Sequence, residues 1–230
     1  VVGRDRYIEY VSWLANVAAT CEKILQEIRN LQRSEIQEAG EGFDIKKQVG
    51  SSTMAHKKNP IKSENASGLA RIVRSMIIPT YENALLWHER DLANSSSERF
   101  TLSHGSALCE DVIAKTRQVL TNMWVDADRC LENIKSQRGL VMAEKVMIEL
   151  VEHGIARDEA HEILRSASFE AVDKKIELID VCSRTPEIAA VFSADELEAM
   201  FDPMSHIGVS GEIVDEAVAL ARSAIKSRVK

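Results

Sequence analysis

Apolar side chains recur in the first part of the chain at Val11, Leu14, Ala18, Cys21, Leu25, Ile28 and Leu31, spacings of three and four that keep one stripe on one side of an α-helix. A stripe this long predicts a helix belonging to a bundle. Gly40 and Gly42 can adopt helix-ending conformations, so the stop is predicted near 39–40. The next pattern follows Asn59-Pro60, which reads as an N-cap with proline at the first helical position. It carries Ile61, Leu69, Ile72, Val73, Met76 and Ile77 inward. Pro79 predicts a kink before the pattern resumes at Ala84, Leu85 and Leu86 and ends near Trp87-His88. The polar stretch 89–97, with three consecutive serines, reads as a loop. Leu102, Leu108, Val112, Ile113, Val119, Leu120 and Met123 then mark a third helix.

Beyond Asp126 the units shorten to about 126–135, 137–153, 157–171, 194–200 and 210–228, punctuated by Gly139, Gly154, Pro186, Pro203 and Gly208. A domain boundary is predicted near Ser136, with residues 1–135 a partial long-helix bundle domain and residues 136–230 a small helical C-terminal domain. The expected fold class is all-α.

Composition sharpens this picture. With 230 residues, 45% hydrophobic and 28% charged, the chain can bury a substantial core. Aromatics at 5%, with only 10 Gly and 4 Pro, are sparse for a turn-rich β fold. The net charge of −7 opposes nonspecific binding to nucleic acid or anionic lipid, so any anion site has to be local. Cys21, Cys109, Cys130 and Cys182 are widely spaced, without a CxxC, and are expected to be reduced and mostly buried, with no metal site. No apolar run approaches the ~20 residues of a membrane span, and no signal peptide opens the chain. A cytoplasmic protein is predicted. The start Val1-Val2-Gly3-Arg4 lacks an initiator Met and runs almost at once into a helix, which predicts a piece of a longer protein.

Residues 46–63 hold Lys46, Lys47, Lys57, Lys58 and Lys62 and no acid until Glu64. The stretch has no interleaved aromatics for base stacking, which argues against a nucleic-acid site. A Gly-Ser loop followed by Lys57 and Asn59 just before a helix N-terminus is suited to gripping a carboxylate. Such donors could also stabilise the extra charge that develops when a proton leaves the neighbouring carbon. A glycine-serine run alone reads as a turn, and a lone His56 as a solvated loop histidine.

The stretch Gly50-Ser51-Ser52-Thr53-Met54-Ala55-His56-Lys57-Lys58-Asn59-Pro60 resembles the signature loop of the fumarase/aspartase superfamily, GSSxMPxKxNP, departing only at Ala55 where proline is usual. The resemblance implies that Ser51 is the base that takes the Cβ proton of a dicarboxylate substrate. It also implies that Ser52, Met54, His56, Lys57 and Asn59 contact that substrate and that Glu64 lies in the site. Serine is a poor base, so the role requires water exclusion and nearby donors. The bland alternative for Glu64 is a first-turn acid favoured by the helix dipole. His56 before the lysine resembles adenylosuccinate lyases and carboxymuconate cycloisomerases rather than argininosuccinate lyases or fumarases.

A second constellation, His88-Glu89-Arg90-Asp91 followed by Ser95, Ser96, Glu98 and Arg99, resembles the adenylosuccinate lyase pattern HERDxxxSSxER. There it implies that Arg90, Ser95 and Arg99 bind a nucleotide phosphate, for which guanidinium forks and hydroxyls are suited; helix-end ion pairing is the plainer reading. Arg138-Gly139-Leu140, Ala143-Glu144-Lys145-Val146 and the run from His153 to His161 continue the resemblance, with Ala143 for Ser and His161 for Tyr as departures. The family implies fumarate release by β-elimination without metal or organic cofactor, in homotetramers whose active sites each draw on three subunits. Its proton donor to the departing nitrogen is a histidine in a Thr-His-x-Gln-type segment. None of His56, His88, His104, His153, His161 or His206 sits in such a segment, so these 230 residues alone are expected to show little or no turnover. A carboxymuconate cycloisomerase-like enzyme and a noncatalytic assembly domain are the alternatives.

Overall fold

In the computed structural model, which describes residues 2–42 and 57–228, the first stripe forms α1, Asp5–Leu31, burying Val11, Leu14, Ala15, Ala18, Leu25 and Ile28. Helix α2 is Ile61–Ser75, α3 Ile77–Glu82 and α4 Ala93–Glu98. A π-helical turn at Arg99–His104 joins α4 to α5, Gly105–Asn122. Two short strands, β1 at Ala39–Gly40 and β2 at Trp124–Val125, pair antiparallel. After them come α6 (Ala127–Ser136), α7 (Ala143–Glu152), α8 (Arg157–Lys174), α9 (Leu178–Arg184), α10 (Pro186–Ala189), α11 (Ala194–Met200) and α12 (Ser210–Arg228). Apart from the two-residue pairing, the described fold is all-α. The chain divides into two compact units, Val1–Cys130 and Leu131–Lys230, at a point inside α6.

In the first unit α1, α2 and α5 form the core. Helix α5 runs alongside α1 in the same direction. Ser106 lies at 2.8 Å from the Tyr10 hydroxyl near one end, and Asn122 abuts Gly42, beyond the other. Helix α2 runs the opposite way, with Arg71 and Arg74 both paired to Glu22 and Met76 against Gly105.

Four sequence expectations are corrected in this unit. Helix α1 stops at Leu31, well before Gly40, because residues 32–38 turn back and Ala39–Gly40 hydrogen-bonds to Trp124–Val125 instead. The glycines serve close approach: a Cβ on Gly40 would lie 2.6 Å from the Trp124 ring, and one on Gly42 2.2 Å from the Asn122 carbonyl oxygen. In α2 the buried face is Ser63, Ala66, Ser67, Ala70 and Val73, while Ile61 and Ile72 are exposed. Small side chains let helices approach closely, and the Ser67 hydroxyl is satisfied by the Ser63 carbonyl oxygen at 2.7 Å.

Pro79 breaks the helix outright where a kink was expected: it has no N–H to give the Ser75 carbonyl four residues back, so α2 ends at Ser75 and α3 restarts at Ile77 with Pro79 in its first turn. The expected loop at 89–97 is helical from Ala93. Its start is tied by Asp91, whose carboxylate accepts from the Trp87 amide at 3.0 Å and the Ala93 amide at 2.8 Å. Asn94 is fully buried and Glu98 is ion-paired to Arg4 at 2.7 Å, so tertiary contacts override the weak helix propensity of three serines.

The second unit packs α7 to α11 around one cluster that includes Leu150, Leu164, Leu178, Val181, Ile188 and Leu197. Helices α9 and α10, which meet at Thr185 and Pro186, fall between the units expected at 157–171 and 194–200, where the sequence pattern predicts no helix. Gly139, at φ +75°, sits against the Phe201 ring, where a Cβ would come within 2.8 Å. All four cysteines are free; Cys109 and Cys182 are buried, and Cys21 and Cys130 half-buried.

Candidate active site

The C-terminal end of α1 and the start of α2 face each other across a cleft of about 1020 Å³. Gln26, Arg29, Asn30 and Arg33 line it from the α1 side, Lys57, Lys58, Asn59 and Glu64 from the α2 side, and Trp124 from β2. Among the described residues, four cations thus meet one carboxylate, so the cleft presents a local positive potential in a chain of net charge −7.

Helix α2 has no side-chain cap of its own at Pro60. The cap comes from Glu41, which is 3% exposed. Its carboxylate accepts from the Lys62 amide at 3.1 Å and from the Ser63 amide and hydroxyl, each at 2.9 Å. A carboxylate there satisfies two orphan amides and complements the helix dipole. The Glu41 amide donates to Gln32 Oε1 at 2.8 Å, and Gln32 Nε2 donates to the Lys58 carbonyl oxygen at 2.9 Å. This network holds Lys57, Lys58 and Asn59 in place. The cap expected at Asn59 lies one residue further on, at Pro60, and the Ile61 amide donates to the Asn59 carbonyl oxygen at 2.9 Å.

Of the residues expected in the site, Lys57, Asn59 and Glu64 converge on this cleft. Ser51, Ser52, Met54 and His56 lie outside the described residues. Arg90, Ser95 and Arg99 do not line the cleft. Arg90 and Arg99 are exposed and Ser95 half-buried, and Ser95 and Arg99, four apart, share one helical face. The amide of Trp87, then that of Ala93, with the charge of Arg90, holds the Asp91 carboxyl below its ordinary range. Asn94 and Thr101 are buried with side-chain polar atoms that have no hydrogen-bond partner among the described residues, a cost of about 1–3 kcal/mol for each group.

The length of α1 separates Arg99 from the cleft. Arg4, at its start, is paired to Glu98, the neighbour of Arg99, while Arg29, near its end, lines the cleft. At 1.5 Å per residue those ends lie on the order of 35 Å apart, far beyond the reach of a mononucleotide.

Sequence reasoning missed Gln26, Arg29, Arg33, Glu41 and Trp124. Gln26, Arg29 and Arg33 follow one another at helical spacing, a readable signal. Glu41 carried none, because its partners are 21 and 22 residues away.

Comparison with known proteins decides the family. The model described as Adenylosuccinate lyase C-terminus matches residues 139–217, and the model described as Lyase matches residues 1–75. The chain is 42% identical over 226 residues to the adenylosuccinate lyase of Archaeoglobus fulgidus, covering 98% of this chain and 51% of that protein. The chain belongs to the adenylosuccinate lyase family. It is also 35% identical to the Streptococcus mutans adenylosuccinate lyase, over 94% of this chain and 50% of that one. The chain therefore spans about half the length of the curated relatives it matches. Among solved structures, a fumarate lyase from Mesorhizobium matches with a TM-score of 0.84 at 28% identity, and the 3-carboxy-cis,cis-muconate lactonizing enzyme of Pseudomonas putida with 0.83 at 28%, each over 94% of this chain and 47% of the other.

Proposed function

We propose that this chain forms part of an enzyme that eliminates fumarate from adenylosuccinate, giving AMP, and from the succinyl-carboxamide imidazole nucleotide of purine synthesis. The observation that carries the reading is the convergence of Lys57, Asn59 and Glu64 on one cation-rich cleft in a chain of this family. In the reaction Ser51 removes the Cβ proton while Lys57 and Asn59 hold the adjacent carboxylate as it gains charge. The electron pair forms the fumarate double bond, the C–N bond breaks, and a histidine protonates the departing nitrogen.

Arg90, Ser95 and Arg99 bind the nucleotide phosphate. Because α1 holds them on the order of 35 Å from the cleft of their own chain, each substrate draws its carboxylate grip and its phosphate grip from different copies. This separation supports a homotetramer with shared sites. The reading includes no cofactor and no nucleic acid, and it places the enzyme in the cytoplasm, in keeping with described helices that are nowhere long and apolar enough to cross a membrane.

The test uses the full product of the gene, following the absorbance change on adenylosuccinate cleavage. Lys57→Ala is expected to lower kcat/KM by about 10² to 10³; an unchanged value would sink the assignment. The 230 residues alone are expected to show negligible turnover. A carboxymuconate cycloisomerase reading is favoured by the fold of the Pseudomonas putida enzyme but at lower identity, and tight AMP binding by the full product would exclude it.

A further inference from the structure

Helix α12 is about 28 Å long, and its side chains from Ser210 to Ser227 are exposed. Its sequence is nevertheless amphipathic. Ile213, Val214, Val218, Leu220 and Ile225 fall on one side with alanines between them, covering an arc of about 160°, and each is 39% exposed or more. An apolar stripe of this regularity on a solvent-facing helix marks an association surface.

Charge identifies the occupant. The acids Glu212, Asp215 and Glu216 lie in the first half of α12, and the bases Arg222 and Lys226 in the second. Asp215 and Arg222 are two turns apart on the same flank of the apolar arc. In a two-fold antiparallel pair of α12 helices, flanking positions on the same side face each other, so Asp215 of each copy meets the other copy's Arg222. The midpoint of that pair lies between 218 and 219. The apolar stretch from Ile213 to Ile225 is centred at 219, so charge and apolar register agree to within half a residue. Parallel pairing would carry the Asp215–Arg222 flank of the two copies to opposite sides of the seam, where these residues would not meet. The antiparallel arrangement also opposes the two helix dipoles and is isologous, as closed dimers require.

We infer that α12 is a homotypic docking element, pairing antiparallel with α12 of a second copy of this chain. The inference does not depend on the catalytic reading, since it uses no residue of the cleft.

Sedimentation velocity of the full gene product tests it, with circular dichroism confirming that each variant is folded. Asp215→Arg alone and Arg222→Asp alone are each expected to raise the concentration for half-dissociation of the affected species at least tenfold, as is Val218→Asp at the centre of the stripe. Mixing the two single charge variants restores association, because each 215–222 contact again joins opposite charges; so does the doubly reversed chain. Association through any other surface is untouched by these substitutions and stays as a constant background mass. Unchanged masses for both charge reversals overturn the inference, as does failure of the mixture to recover. Dissociation by Val218→Asp with no effect of either charge reversal also overturns it, since the stripe would then cover a different partner.

Discussion

Among the described residues, the second unit gathers thirteen buried apolar side chains, from Val146 to Met200, into one continuous cluster, whereas the first divides most of its own between a group of six around Leu14 and Val112 and a group of four around Leu25 and Val119. Aromatic rings are exposed in the first unit at Trp87 (79%), Phe100 (63%) and Trp13 (58%), while the second exposes Phe169 (58%) and the apolar side chains of α12. Its inner seam is made largely of small residues on α2. The difference teaches that α7 to α11 close one core among themselves, while α1, α2 and α5 divide theirs and leave Trp13 of α1 on an outer surface suited to burial against other copies.

The first and largest expected effect sharpens the functional side of that contrast. Ser51→Ala in the full gene product should lower kcat by about 10³ or more with modest loss of substrate binding; normal turnover would remove Ser51 as the base, leaving the fold untouched.

A second pair of substitutions can break the contrast outright. Leu178→Ala, at a fully buried position, should cost about 3 kcal/mol in urea unfolding whatever the protein concentration. Trp13→Ala should barely change the unfolding of a dissociated chain but shift the assembly to higher concentration. If both behave alike, the two units do not differ as described.

Next in size is Glu41→Ala, which strips the start of α2 of its cap and leaves two amides and a hydroxyl without a partner. A loss of about 2–3 kcal/mol is expected, with a rise in KM through displacement of Lys57 and Asn59. Glu41→Gln, which still offers an acceptor oxygen, should recover part of both.

The smallest effect is a pH dependence. Burial pushes the Cys182 thiol up to about 12. Below its ordinary value both folded and unfolded chains hold that proton, and the full stability is present. As pH rises from about 9 towards about 12 the unfolded thiol ionises first, so stability declines. Cys182→Ala should flatten that decline in thermal unfolding, and an unaltered slope would assign it to other groups.

Legibility varied by element for physical reasons. Helices α11 and α12 begin and end where the pattern placed them, α11 helped by a local start signal in which the Ser193 amide donates to Glu196 at 2.8 Å and the Glu196 amide to the Ser193 hydroxyl oxygen at 3.4 Å. The domain division lies inside α6, whereas the residue pattern changes near Ser136, because contacts rather than punctuation define a unit. In α2 the inward face escaped a reading based on hydrophobicity because serine and alanine bury by fit. Helix α4 escaped because serine disfavours helix locally, and the Arg4–Glu98 pair that opposes this preference is 94 residues apart in sequence. In the site, Lys57, Asn59 and Glu64 were legible as a group because they are close in sequence, whereas Trp124 joins them only through its pairing with Gly40.

By itself the sequence determined the all-α class, the long amphipathic stripe of α1, and two chemically distinct residue sets, at 51–64 and 90–99. These depend on local spacing, which a helix of fixed pitch converts directly into faces. Only the tertiary structure decided that Glu41 caps α2, that Gly40 and Gly42 exist for close approach, and that Lys57, Asn59 and Glu64 stand at the other end of α1 from Glu98 and Arg99. Those facts depend on which distant segments touch, and a chain's local pattern does not encode the distance between its ends.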